Sequence, residues 1–215
     1  MVIIMISGSI LSGEIDSKKL IIEFDKSNVD YVHLDIMDGK FTENKTWTFN
    51  EIKKLCDLTS KKLDTHLMVK KPIKYIKDYA LLNNEYITFH LECDEDILNV
   101  INVIKNYGIK VGISIKPDTD INKIFPYLTY IDLVLIMGVT PGKSGQEFME
   151  ESLDKIKLLR DKINEIGRSV IISVDGGINE NNANDCIDAG ADMLVSASYL
   201  HKDIKNNVNV LKNMF

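Results

Sequence analysis

The chain has 215 residues, enough for one sizeable domain with its own core, and 45% of them are hydrophobic, as is ordinary for a globular protein. Its 26 Lys and Arg residues against 32 Asp and Glu residues give a formal charge of −6, which argues against binding to nucleic acid or to an anionic membrane surface. Three widely spaced cysteines, Cys56, Cys93 and Cys186, predict packing thiols in a reduced, cytoplasmic compartment.

Apolar runs of strand length alternate with helical patterns along the chain. Strands are predicted at 2–6, 30–37, 62–68, 86–91, 110–115, 131–137, 169–174 and 192–195. Helices are predicted from a cap at Asp16, at 49–58, from Pro72, from Asp94 to a stop at Gly108, and at 121–127, 150–166, 179–189 and 208–214. The apolar start at 1–10 lacks a basic n-region and is too short to span a bilayer, so it is interpreted as the first strand.

This alternation predicts the fold class. Strands that are nearly continuous apolar runs are typical of parallel sheets with both faces covered. Eight strands in alternation with helices favour an α/β protein with a single (β/α)₈ TIM barrel over residues 1–215. A doubly wound open sheet is the alternative.

The second strand carries the most informative pattern. His33, Asp35 and Met37 share one face because side chains on a strand alternate with period two, and the apolar residues between them share the other face. A strand of this kind fits a barrel wall that presents polar groups inward and apolar groups to the covering helices. His66 and Met68 repeat the pattern on the next strand.

Polar residues are concentrated at predicted strand ends, where barrel enzymes place their sites. These residues are Ser7, Ser9, His33, Asp35, Asp38, His66, His90, Glu92 and Asp175. Two imidazoles and two carboxylates, from His33, Asp35, His66 and Asp175, suit Zn²⁺, Fe²⁺, Mn²⁺ or Co²⁺ better than Mg²⁺. For any one histidine, a rim residue hydrogen-bonded to a neighbour is the alternative.

Glycine-rich loops follow the last strands, at 141–146 and 175–178, and Ser196-Ala197-Ser198 precedes a possible short helix. Backbone amides in such loops commonly bind phosphate in barrels, whereas ordinary turns are the alternative. Met37, Met68 and Met137 would lie at inward strand ends, where they could exclude water from the reacting carbons or serve only as core.

With these residues identified, the chain resembles the ribulose-phosphate 3-epimerase family from about Ser9 to Ser198. The most specific segments are His33-Leu34-Asp35-Ile36-Met37-Asp38-Gly39-Lys40-Phe41 and His66-Leu67-Met68-Val69. Further matches are Ser9-Ile10-Leu11-Ser12, His90-Leu91-Glu92, Met137-Gly138-Val139-Thr140-Pro141-Gly142, Gly145-Gln146 and Val174-Asp175-Gly176-Gly177-Ile178.

The resemblance implies one divalent ion, zinc in the first place, on His33, Asp35, His66 and Asp175, with Ser9 and His66 near the substrate. It implies phosphate contacts from Gly142, Lys143, Ser144, Gly145, Gly176, Gly177, Ala197 and Ser198. It also implies interconversion of D-ribulose 5-phosphate and D-xylulose 5-phosphate in the pentose phosphate pathway. We expect a phosphorylated ketose as the ligand and a homo-oligomer as the assembly.

Inversion of a carbon beside a ketone needs a proton removed from one face and another delivered to the other face. Asp35 and Asp175, from strands roughly across the barrel, could flank the sugar, with the ion as a Lewis acid for the enediolate. Two rivals are a barrel for decarboxylation or aldol chemistry, for which Lys116 is the one candidate lysine, and a non-catalytic sugar-phosphate binder.

The sequence departs from the family pattern around the sugar tail and the phosphate. Thr42-Glu43 replaces Val-Pro, Lys143-Ser144 replaces Phe-Gly, Lys116 replaces Asn and Ala197 replaces Gly. None of these positions belongs to the predicted metal set or to the acid–base pair. The reaction type is therefore better determined than the substrate, and a ketohexose 6-phosphate such as allulose 6-phosphate is the alternative.

Overall fold

Eight parallel strands form a closed barrel in which every strand pairs with its neighbours in chain order and β8 pairs with β1. The computed structural model describes residues 4–214. The strands are β1 Met5–Ser9, β2 Tyr31–Met37, β3 Lys62–Met68, β4 Asn84–His90, β5 Lys110–Ile115, β6 Leu133–Met137, β7 Ile171–Asp175 and β8 Met193–Ser196. The predicted (β/α)₈ barrel is confirmed, and the open sheet is excluded.

A helical segment follows every strand. The helices are α1 Ser17–Asp25, α2 Phe49–Cys56, α3 Ile73–Tyr79, α4 Ile97–Lys105, α5 Ser152–Ile166, α6 Ala183–Asp188, α7 Ser198–Lys202 and α8 Ile204–Lys212, with a 3₁₀ helix at Ile121–Tyr127 after β5. Among residues 4–214, none of these helices combines the length and the hydrophobicity that crossing a membrane requires.

Local sequence signals explain several helix ends. Asp16 caps α1 by accepting a hydrogen bond from the backbone N–H of Lys18, as predicted. Thr48 and Glu51 form a reciprocal capping box at the start of α2. Gly167 ends α5 in the left-handed conformation, with φ of 63°, which glycine adopts without the steric cost of a Cβ.

Some predicted boundaries were wrong. The first strand was placed at 2–6, of which 2 and 3 lie outside the described residues, whereas β1 runs to Ser9 because its pairing with β2 continues to Ser9 opposite His33. Helix α4 begins after a cap at Asp96, not at Asp94. Helix α6 is shorter than predicted, and the last helix begins at Ile204 after a cap at Asp203.

Apolar side chains pack in three regions. Val32, Leu34 and Ile36 belong to the large layer between the strands and the surrounding helices, as their alternation predicts. A second cluster fills the barrel interior, mainly from β6 and β8: Tyr86, Leu133, Leu135, Met137, Val139, Met193 and Val195. A third cluster, Met37, Phe41 and Met68, lies at the mouth. Each fully buried Val, Leu or Ile contributes roughly 1.5–3 kcal/mol of transfer free energy, so this packing stabilises the barrel on which the mouth is built.

Candidate active site

The four predicted metal ligands converge at the barrel mouth. One ligand atom from each of His33, Asp35, His66 and Asp175 lies within 4.8 Å of all the others. The barrel explains this convergence, because β2 and β3 are adjacent, Asp35 is in register with His66, and β7 reaches the same centre from another part of the wall. Both histidines are completely buried, and Asp175 is 16% exposed.

His33 is oriented by a buried carboxylate. Its Nδ1 donates a hydrogen bond of 2.7 Å to Asp64 Oδ2, which also accepts one of 2.9 Å from the Ser7 hydroxyl. The other ring nitrogen, Nε2, lies 3.4 Å from Asp35 Oδ1 and 3.9 Å from Asp175 Oδ2. This buried Nε2 has no hydrogen-bonding partner among residues 4–214, and a ring nitrogen directed at two carboxylates fits a metal ligand.

His66 completes the cluster from β3. Its Nδ1 lies 3.3 Å from Asp35 Oδ1 and 3.7 Å from Asp175 Oδ2. Its other nitrogen points away from the cluster towards His90, so only Nδ1 faces the two carboxylates. The donor set of two imidazole nitrogens and two carboxylate oxygens therefore fits a divalent transition metal ion.

The surroundings shift the pKa values of the Asp35 and Asp175 carboxyl groups in opposite directions. Burial alone would raise the pKa of Asp35, but His33 and His66 outweigh burial and hold that pKa well below its usual value. Burial raises the pKa of Asp175 to about 6, and the neighbouring charge of Asp35 adds to this effect. For His33, burial lowers the pKa, but Asp64 and Asp35 outweigh it, so the pKa is raised well above the ordinary value.

Ser9 holds Asp35 in place. The Ser9 hydroxyl donates a hydrogen bond of 2.7 Å to Asp35 Oδ2 and accepts one of 3.1 Å from the Leu11 N–H. The Ser9 carbonyl in turn accepts a hydrogen bond of 2.7 Å from His201 Nε2 on α7. Ser9 was predicted to lie near the substrate; the structure places it at the mouth and in direct contact with one of the two acids.

The predicted substrate residues surround one small cavity above the four ligands. His66 is buried and does not line this cavity. The other predicted substrate residues all line it: Ser9, Met37, Met68, Met137, Gly142, Lys143, Ser144, Gly145, Asp175, Gly176, Gly177, Ala197 and Ser198. Met37, Met68 and Met137 are each at most 3% exposed and supply an apolar surface beside the acids. The loops after β6, β7 and β8 close the opposite side.

Gly177 shows why the loop after β7 needs glycine. Its φ is 71°, in the left-handed region, and a Cβ there would lie 2.5 Å from the backbone nitrogen of Phe148. This lets the 175–178 loop pass close to the chain that follows β6. Across the mouth, the Asn44 side-chain amide donates to the Gly142 carbonyl at 2.8 Å and links the loops after β2 and β6.

Asp64 was not among the predicted site residues, although it precedes His66 by two residues and shares its inward face. The pattern Asp64-x-His66 mirrors His33-x-Asp35, so strand alternation alone could have identified it. The predicted repeat on β3 covered only His66 and Met68, although Asp64 is in register with His33 on β2.

Comparison with known proteins identifies the family. A family model described as "Ribulose-phosphate 3 epimerase family" matches residues 5–201. The chain belongs to this family. Among similar curated proteins, ribulose-phosphate 3-epimerase of Treponema pallidum is 37% identical, with 88% of each chain covered. The Bacillus subtilis ribulose-phosphate 3-epimerase is 34% identical, with 97% of this chain and 98% of that protein covered. The predicted resemblance and the enzyme class, an isomerase of the epimerase type, are confirmed.

Solved structures support the same fold at low sequence identity. KGPDC from Streptococcus mutans has a TM-score of 0.72 at 10% identity and covers 98% of this chain and 96% of its own. A 3-hexulose-6-phosphate synthase has a TM-score of 0.71 at 12% identity, with 97% and 98% covered. At such identities these similarities establish the barrel and carry no information about the reaction.

Proposed function

We propose that the protein inverts C3 of a ketose phosphate and interconverts D-ribulose 5-phosphate and D-xylulose 5-phosphate in the pentose phosphate pathway. The observation that carries the proposal is the meeting of Asp35 and Asp175 in the His33–His66 cluster, directly below a cavity walled by glycine-rich loops. Family membership supports the same reaction.

The two aspartates perform the proton transfers in this proposal. One carboxylate removes the C3 proton, and the other carboxylic acid delivers a proton to the opposite face of the same carbon. Which aspartate acts as the base depends on the direction of reaction. Ser9 holds Asp35 through a 2.7 Å hydrogen bond, and the three methionines exclude water from the planar intermediate.

His33, Asp35, His66 and Asp175 would hold a divalent ion, Zn²⁺ in the first place and Fe²⁺, Mn²⁺ or Co²⁺ otherwise. When bound, such an ion supplies Lewis-acid stabilisation of the enediolate. The backbone amides of Gly176, Gly177, Ala197 and Ser198, which line the cavity, would receive the phosphate together with the 142–145 loop. A cytoplasmic location and a homo-oligomeric assembly remain predictions.

The rival lysine chemistry gains no support from the site. The Lys116 ammonium lies 4.3 Å from the centroid of the Phe41 ring, in a groove outside the small cavity. A lysine that forms a covalent bond with the substrate carbonyl would need to reach the reacting carbon, so Lys116 is poorly placed for decarboxylation or aldol chemistry.

The test compares D-ribulose 5-phosphate with allulose 6-phosphate in D₂O, on protein whose metal content has been measured. We expect faster turnover of the pentulose, deuterium at C3 only, loss of activity after prolonged chelation and recovery with added metal. Full activity in metal-free protein would contradict the metal role. A preference for allulose 6-phosphate would transfer the proposal to the hexulose, for which Lys143, Ser144 and Ala197 in the cavity wall are the departures that matter. Tight binding without deuterium incorporation would indicate a binder.

A further inference from the structure

Two buried histidines share a single hydrogen bond behind the cluster. His66 Nε2 and His90 Nε2 are 2.9 Å apart, and both side chains are completely buried. Two imidazole nitrogens at this distance need one proton between them, so one ring must be the donor and the other the acceptor. The position of that proton decides which nitrogen of His66 keeps a lone pair.

The far side of His90 settles the direction. His90 Nδ1 lies 3.2 Å from Glu92 Oε2. The other oxygen of Glu92 accepts hydrogen bonds from the Lys116 N–H at 2.9 Å and from the Thr119 hydroxyl. An ionised carboxylate can only accept hydrogen bonds, so His90 must carry its proton on Nδ1. A neutral His90 then presents a lone pair at Nε2, and His66 must donate to it from its own Nε2.

The consequence reaches the metal ligands. A neutral His66 protonated at Nε2 has its lone pair at Nδ1, the nitrogen 3.3 Å from Asp35 Oδ1 and 3.7 Å from Asp175 Oδ2. We propose that Glu92 is a positioning residue that fixes the tautomer of His66 through His90 and so presents Nδ1 to the divalent ion. This inference rests on the proposed metal site and deepens it.

The surroundings of His90 leave no other partner to set its tautomer. The Phe41 ring lies 4.5 Å from the His90 ring, centroid to centroid, and the His66 ring lies 5.0 Å from it. Neither face of His90 therefore offers a competing hydrogen bond within the described residues. His33 achieves the same orientation in one step through Asp64, so the two histidine ligands would be set by two carboxylates, one direct and one relayed.

Lys155, which is half-buried, fixes the loop segment that binds Glu92. The Lys155 ammonium donates to the carbonyls of Pro117 at 2.5 Å and Thr119 at 2.6 Å, and to that of Lys116 at 3.4 Å. These contacts fix the segment whose Lys116 N–H and Thr119 hydroxyl bind Glu92. The Glu92 carboxylate is therefore held by the loop independently of the histidines. This independence is needed because Glu92 can set the tautomer of His90 only if His90 does not set the position of Glu92.

The variant that tests the relay is Glu92→Gln. Because the two donors at Oε1 favour the amide oxygen there, the amide nitrogen would face His90 Nδ1 and reverse the proton order, leaving N–H instead of a lone pair at His66 Nδ1. We expect the Kd for Co²⁺ and for Zn²⁺, measured by chelator competition, to weaken about 10–100-fold. Glu85→Gln is the matched control, since Glu85 lies on β4, the strand that Glu92 follows, and pairs with Lys110 outside the relay.

Nitrogen-15 correlation spectra of the imidazole groups in the metal-loaded wild type provide a readout that does not depend on any variant folding. We expect His90 protonated at Nδ1 and His66 at Nε2. A proton on His90 Nε2, or an unchanged metal Kd in folded Glu92→Gln, would overturn the relay. Failure of the wild type to bind Co²⁺ or Zn²⁺ would instead overturn the metal site on which the relay rests, so the two failures are distinguishable.

Discussion

The two halves of the barrel wall face the same mouth with different chemistry. The first four strands direct buried polar side chains into the interior: Ser7, Ser9, His33, Asp35, Asp64, Thr88, His66 and His90. The second four are mainly apolar there, with Leu133, Leu135, Met137, Met193 and Val195 in one packed cluster, and Asp175 is their one carboxylate in the metal-ligand cluster.

This difference shows how one cluster can give two identical carboxyl groups different properties. Asp35 lies among hydrogen-bond donors and two imidazoles, which hold its pKa well below the ordinary value. Asp175 comes from the apolar half, where burial raises its pKa to about 6. Paired acids in contrasting environments are a recurrent arrangement in acid–base catalysis, since one group can hold a proton while the other is ionised.

The largest effect should come from removing the acid of the apolar half. In Asp175→Asn, proton transfer at one face of C3 is lost, and we expect turnover to fall about 10²–10⁴-fold. The measurement is incorporation of solvent deuterium at C3 at saturating metal, so that weaker metal binding is separated from lost acid–base chemistry. Asp161→Asn, on the exposed face of α5, is the control. Retention of wild-type exchange by Asp175→Asn would show that the two-aspartate scheme is wrong.

A smaller effect, on metal affinity, is expected from replacing Asp64, which lies in the polar half of the barrel and hydrogen-bonds the ligand His33. Asp64→Asn would disturb the donor–acceptor order at His33 Nδ1 and should weaken Co²⁺ binding about 10–100-fold, with much of the turnover recovered at saturating metal. Cobalt titration monitored by its visible spectrum measures this change. Ser173→Ala, inside the opposite half, should leave the cobalt affinity unchanged. Equal losses in both variants would argue against a specific orienting role for Asp64.

The contrast between the halves also explains what the sequence could predict. Period-two alternation placed His33 and Asp35 inward on β2 and the apolar residues outward, and the barrel then brought Asp175 to them. Two-residue patterns of this kind are visible in the sequence because strand geometry fixes them. The same rule places Asp64 inward as well, in register with His33.

Contacts between distant loops could not be predicted in this way. The bond between His66 and His90, the Lys155 contacts with the 116–119 segment and the Asn44–Gly142 bond depend on how the barrel closes and on the paths of the loops. Sequence spacing carries no signal for these. Helix ends were also misplaced by a few residues where a nearby Asp offered an alternative cap, as Asp96 did for Asp94.

The smallest expected effect is a difference in the free energy of unfolding between two serine-to-alanine substitutions, one in each half of the barrel. Ser7→Ala removes the hydroxyl that donates to Asp64 at 2.9 Å, and we expect it to lower the free energy of unfolding of metal-free protein by about 1.5–3 kcal/mol, since the acceptor is a buried carboxylate. The buried Ser173 hydroxyl has no hydrogen-bonding partner among residues 4–214, so Ser173→Ala should change that free energy by no more than about 0.5 kcal/mol, or increase it. Urea denaturation with matched m-values would measure both. If both substitutions lowered the free energy of unfolding equally, the Ser7–Asp64 hydrogen bond would contribute no more to stability than the unpaired Ser173 hydroxyl. The prediction for the polar half would then be wrong.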